Sequence, residues 1–272
     1  MIVLITILIL VYIRMINQHI VERHSSRTTF LFVGDSVWRY GTESFCKSHE
    51  AIINSSVGNY QRTKKAGPIY CRIRIKNETL DIFELFHIGV SPKGPYPEMA
   101  PDYSHPDLPI KTISKFTQFV NSVKIYPDII FFNSALWDLA RWNQHYSHEH
   151  VSWDSYISSW SKNASEIISL MRNIFPASKI MWLSTVPASR PHEKCDVNAW
   201  GIQIHAYEKC KDLSKLARRV CKKFNVKFYD IERIVQNLDY RDCTHLGAST
   251  SNQVINHILN DNSLQNFMVP KS

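Results

Sequence analysis

Thr28-Thr29-Phe30-Leu31-Phe32-Val33-Gly34-Asp35-Ser36 is the stretch that decides the fold of this chain. β-Branched and aromatic residues favour an extended strand, and Gly34-Asp35 breaks the run at once. Ser36 then falls on a strand-to-helix turn. There its hydroxyl stands above the carboxyl edge of a sheet, and the N–H groups of the following helix face any negative charge that develops.

A serine hydroxyl is a poor nucleophile at neutral pH unless a base takes its proton, and that base needs a carboxylate to orient it. Asp242-Cys243-Thr244-His245, near the other end of the chain, supplies both groups. Asp and His at i and i+3 in a turn entering a helix share one side, so the order Ser, Asp, His is compatible with a triad on an α/β sheet. Gly-Asp-Ser alone is a common turn tripeptide, and Asp-x-x-His alone is often a helix cap beside a surface histidine. The two gain weight together, because strand and helix signals alternate between them.

Ala51-Ile52-Ile53-Asn54 reads as a second strand and Pro127-Asp128-Ile129-Ile130-Phe131-Phe132 as a buried one. Lys179–Val186 and Val226–Asp230 read as further strands, with helical patterns at about 153–175, 200–224 and 247–260. The expected fold is a doubly wound, mainly parallel α/β sheet with its site beyond the carboxyl ends of the strands.

Three ordered blocks resemble a known family. Gly34-Asp35-Ser36 followed by Arg39, Asn133-Ser134-Ala135-Leu136-Trp137-Asp138-Leu139, and Asp242-Cys243-Thr244-His245 are similar to the blocks of the GDSL/SGNH hydrolases. Within that superfamily they resemble the PC-esterase branch, related to trichome-birefringence-like polysaccharide acetyltransferases, over most of residues 28–260. The resemblance implies a three-layer α/β/α sandwich and a serine acyl-ester enzyme without a cofactor, acting on O-acylated, above all O-acetylated, cell-surface glycans or similar polymers, with lipid esters as the second substrate class. It implies Ser36 as nucleophile, His245 as base and Asp242 as its orienter. The oxyanion hole would comprise the Ser36 N–H, the Gly58 N–H and the Asn133 amide; Asn133 reads equally as a satisfied strand-end amide. Hydrolysis and acyl transfer share every step up to release of the acyl group from Ser36, so both stay open.

Arg39, Trp137, Asp138 and Arg141 are candidates for lining the substrate mouth, against structural readings in which Trp137 caps the core and Asp138 pairs with an arginine. His145, His148 and His150 lack the companion ligands that spell a zinc site, so no metal is expected. The formal charge of +8 comes from scattered residues with no recognition motif, which argues against nucleic acid and for an anionic glycan or membrane surface. The alternatives to an enzyme are a non-catalytic glycan-binding protein of the same fold and a membrane-tethered interaction protein. The latter would use the proline-rich loop at 91–109 and the aromatic-rich segment from Trp137 to Trp160 as contact surfaces.

Residues 2–13 form an apolar run stopped by Arg14, too short for a standard span but suited to a signal anchor or signal peptide. The expected organisation is an anchor or signal at 1–16, a stem at 17–27, one domain at 28–262 and a tail at 263–272. Six cysteines, as disulfide material, and sequons at Asn54, Asn77 and Asn163 point to the secretory pathway, as does the glycan chemistry of the resembled family. Arg14, Arg23 and Arg27 after the apolar run argue the other way by the positive-inside rule. The proline-rich 91–109 segment reads as a substrate wall or lid, or as a passive surface excursion.

Overall fold

In the computed structural model, the described residues are 27–54, 69–75, 78–87, 89–90, 118, 120–121, 124, 126–142, 152–185, 206–234, 239–241 and 245–261. The N-terminal apolar run, the proline-rich segment, Asn77, His145, His148 and His150 lie outside them.

The elements in chain order are β1 (Arg27–Gly34), α1 (Ser36–Ser48), β2 (Ile69–Ile75), β3 (Glu78–Phe86), β4 (Ile129–Phe132), α2 (Leu136–Arg141) and α3 (Trp153–Ile174). There follow β5 (Lys179–Leu183), α4 (Ala206–Lys223), β6 (Lys227–Tyr229), α5 (Ile231–Ile234) and α6 (Ala248–Leu259). The six strands form one sheet in the order β2-β3-β1-β4-β5-β6, parallel except for the antiparallel β2–β3 pair. Helices cover both faces in a three-layer α/β/α arrangement. This explains why β1 is buried at every position after Arg27 and why β4 is the unbroken apolar run Ile129–Phe132.

The sheet corrects one strand assignment. Ala51–Ile53 is not a strand, and Asn54 makes only an isolated bridge with Tyr70. The place beside β1 belongs to β3, with β2 on its outer side. β2 alternates inward Ile69, Cys71 and Ile73 with outward Arg72 and Arg74, the pattern of an edge strand with one wet face. β3 carries two acids within its apolar run, and both are buried. Asp81 accepts from Tyr70 Oη and Arg72 Nε, each at 2.8 Å, and from Arg27, while Glu84 faces Arg39 Nη1 at 3.7 Å. Buried carboxylates persist only with such partners.

A disulfide joins Cys46 at the end of α1 to Cys71 on β2, both fully buried. The expectation of disulfides holds for this pair, whereas Cys210 and Cys221 are buried thiols on α4. Burial pushes the Cys221 thiol up to about 12. The sequon at Asn163 is corrected: Asn163 is buried in the middle of α3 beside the fully buried Ala164, so no glycan can be seated there. Asn54 is exposed. Among the described residues, no helix is long and apolar enough to cross a membrane.

Candidate active site

The chain leaves β1 for β3 on one side and reaches β4 on the other, so β1 lies at the point where the strand order reverses. That is where an open α/β sheet leaves a crevice at its carboxyl edge. Ser36 is the first residue of α1, immediately beyond β1. Asp35 is the N-cap, its Oδ1 accepting from Val37 N at 3.0 Å.

α1 and α6 pack side by side, which brings the loop before α6 to the start of α1. That loop is a short hairpin in which Tyr240 pairs antiparallel with Leu246 and Arg241 N donates to the His245 carbonyl at 2.9 Å. Gly247 N closes it on Asp239 O at 2.8 Å. A Cβ on Gly247 would stand 2.4 Å from Asp239 Oδ2 and 3.3 Å from Asp239 O, so a larger residue there would have to displace the Asp239 side chain.

The result is a contact between residues 209 positions apart: His245 Nε2 lies 2.8 Å from Ser36 Oγ. Both side chains are half-buried. This is the separation at which an imidazole takes a proton from a hydroxyl. The Tyr40 and His245 rings pack edge to face at 88°, with centroids 4.8 Å apart, and the Arg241 guanidinium sits over Tyr40 at 4.9 Å. Sequence reasoning missed Tyr40 and Arg241, although the i, i+4 spacing of Ser36 and Tyr40 on a helix put them on one face.

Asp35 is fully buried, and its carboxyl is pushed up to about 7. Burial is the main cause; the backbone N–H groups of Val37 and Trp38 pull it back, and the charge of Asp138 adds to the rise.

The other candidates divide. Asn133 follows β4 at the same sheet edge, but its amide donates to Leu183 O at 2.9 Å and Ser184 O at 3.0 Å. It ties the end of β4 to the end of β5. Asp138 is corrected as a substrate-lining residue. It is wholly buried and accepts from Ser134 Oγ (3.0 Å), Trp160 Nε1 (2.9 Å) and Val90 N (3.0 Å), so its carboxylate is held in the interior by protein donors. Arg39 turns to Glu84 instead of open solvent. Trp137 is half-buried on α2, which also carries Arg141. Asp242 and Gly58 lie outside the described residues. The aromatic segment closes on itself: Trp142 and Trp153 pack edge to face, with Lys209 Nζ 3.5 Å above the Trp142 ring. Among the described residues, no group of three or more His, Cys, Asp or Glu side chains is placed to hold a metal ion.

No family model matches the chain, and no curated protein matches it. Solved structures do match. The native aryl esterase of M. smegmatis is similar with a TM-score of 0.53 and 11% identity, covering 89% of this chain and 100% of that one. Its inhibitor-bound form gives 0.51 and 11% over the same shares. Est24, a carbohydrate acetylesterase from Sinorhizobium meliloti, gives 0.48 and 15% over 88% and 99%. At these identities the aryl esterase likeness establishes a shared fold.

Proposed function

We propose that this protein is a serine carboxyl-ester hydrolase of the SGNH type. The observation that carries the reading is the 2.8 Å contact between Ser36 Oγ and His245 Nε2 at the N-terminus of α1. Ser36 Oγ attacks the acyl carbon as His245 takes its proton, forming a tetrahedral intermediate. The Ser36 N–H, in the first turn of α1 where no preceding helical carbonyl takes it, is the donor nearest the new oxyanion. Val37 N–H is already given to Asp35. Collapse of the intermediate expels the alcohol, which receives the proton from His245. A water activated by the same imidazole then frees Ser36 and the carboxylic acid.

Asp242 is proposed as the carboxylate that orients His245 and Gly58 as a second oxyanion donor, both by resemblance. For Asn133 to serve as a third, its amide has to leave the carbonyls of Leu183 and Ser184. The fold shared with an aryl esterase supports ester chemistry in general. The PC-esterase resemblance supports the finer reading of acetyl groups on glycans, and an acceptor hydroxyl replacing water would make the same site a transferase. The buried Cys46–Cys71 bridge supports a secretory or extracellular location.

The test is hydrolysis of p-nitrophenyl acetate and of an acetylated glycan by the wild-type protein and Ser36→Ala. The proposal expects release that the variant loses by at least about a thousandfold. Equal release by both proteins contradicts it.

A further inference from the structure

We infer that Tyr40 and Arg241 form an anion-recognising subsite that selects esters of acidic, carboxylate-bearing sugars, an inference that rests on the esterase reading and names its substrate class. Both side chains are exposed, Tyr40 at 38%, and they stand in file from the imidazole: His245, then the Tyr40 ring at 4.8 Å, then the Arg241 guanidinium at 4.9 Å. The sequence nominated Arg39 and Arg141 as cations of the substrate mouth; Arg39 faces the fully buried Glu84, whereas Arg241 stands exposed beside the imidazole.

Three physical features suit this pair to an acidic sugar. A guanidinium stacked over an aromatic face keeps its in-plane N–H fork for a second partner, and a carboxylate matches that fork with two parallel hydrogen bonds. Tyr40, 38% exposed, offers apolar ring surface at little entropic cost, against which the C–H groups of a sugar ring can lie. The net charge of +8 draws polyanionic chains toward the protein at long range. Arg241 is also fixed from behind, because its backbone N–H is bonded to the carbonyl of His245. The catalytic ring and the anion-reading side chain thus stand on two residues joined by one backbone hydrogen bond.

A purely structural role, with the stack only steadying His245, would affect all esters alike. The discriminating quantity is accordingly a ratio. The full chain is assayed on methyl glucuronoside and methyl glucoside carrying an acetyl group on the same hydroxyl, and the ratio of their kcat/KM values is compared between wild type, Arg241→Gln and Arg241→Lys. The subsite predicts a wild-type preference for the uronate of about tenfold to a hundredfold, the scale of a bidentate charge-assisted contact. Arg241→Gln should bring the ratio near one, and Arg241→Lys, which keeps the charge but loses the fork, should fall between. A wild-type ratio near one, or a ratio that Arg241→Gln leaves unmoved, overturns the subsite. If wild type hydrolyses neither ester, the esterase reading fails and the subsite is judged by calorimetric titration of an oligoglucuronate into Ser36→Ala. Binding that Arg241→Gln abolishes sustains it, and no binding overturns it.

Discussion

Replacing Asp35 by asparagine changes one oxygen of a buried side chain, yet the structure assigns that change a large effect that depends on pH. The folded carboxyl has its pKa raised from 3.8 to about 7, chiefly by burial. A group whose pKa is raised on folding binds its proton more tightly in the native state. The contribution of Asp35 to native stability is therefore greatest below pH 3.8 and is lost as pH rises toward 7, because unfolding lets the group ionise in water. Across that window the loss amounts to roughly 4 kcal/mol. Asparagine cannot ionise, and it retains an oxygen to accept from Val37 N, so the helix cap survives. The advantage of Asp35→Asn over wild type should thus grow by roughly 3 kcal/mol between pH 5 and pH 8. Urea unfolding of both proteins at the two pH values measures it, and the comparison cancels every titrating group they share. Parallel stability curves would refute the reasoning, since they would mean that Asp35 ionises in the fold as easily as in the unfolded chain.

Removing the Cys46–Cys71 bridge with the double change Cys46→Ala/Cys71→Ala releases a constraint across 25 residues and should lower stability by about 3–4 kcal/mol on loop entropy alone; an unaltered urea midpoint contradicts this. Asn133→Ala takes the amide from the carbonyls of Leu183 and Ser184 and should cost about 2–4 kcal/mol in unfolding free energy. A fall in kcat with an unshifted midpoint would instead mark Asn133 as an oxyanion donor. Gly89→Ala places a Cβ 2.5 Å from Asp138 Oδ1 at a backbone φ of +68°, and should lower the thermal midpoint by an amount worth more than about 1 kcal/mol. A midpoint equal to wild type would show that the loop holding Val90 N against Asp138 is free to shift.

The readable parts of the fold were those where one physical pattern dominated. β4 is a continuous apolar run and β1 carries one in Phe30-Leu31-Phe32-Val33 because helices cover both faces, and α3 and α6 show a clear helical stripe. β2 and β3 were hidden for opposite reasons. β2 alternates arginine with apolar residues at the sheet edge, and β3 buries Asp81 and Glu84, which break the apolar signal. Their partners Arg27, Tyr70, Arg72 and Arg39 are assembled only by the folded sheet.

The Ser36–His245 pair was legible because each half sits in a turn motif with its own spacing, whereas the fate of Asn133 and Asp138 was not. Strand-end position placed Asn133 correctly at the carboxyl edge but gave no indication that neighbouring carbonyls would engage its amide. Asp138 shares a motif with a substrate-facing reading, but only the packing of Trp160 and Ser134 reveals where its carboxylate goes. Tyr40 and Arg241 carry no motif. Their significance comes from the meeting of α1 with the hairpin before α6.

The most direct test of the account is reaction with a serine-directed fluorophosphonate, with the labelled peptide identified by mass spectrometry in wild type and in His245→Ala. The account predicts a single adduct on Ser36 that forms far more slowly once His245 is gone. Labelling at another serine, or labelling of Ser36 at an equal rate in His245→Ala, would contradict an activated Ser36–His245 pair.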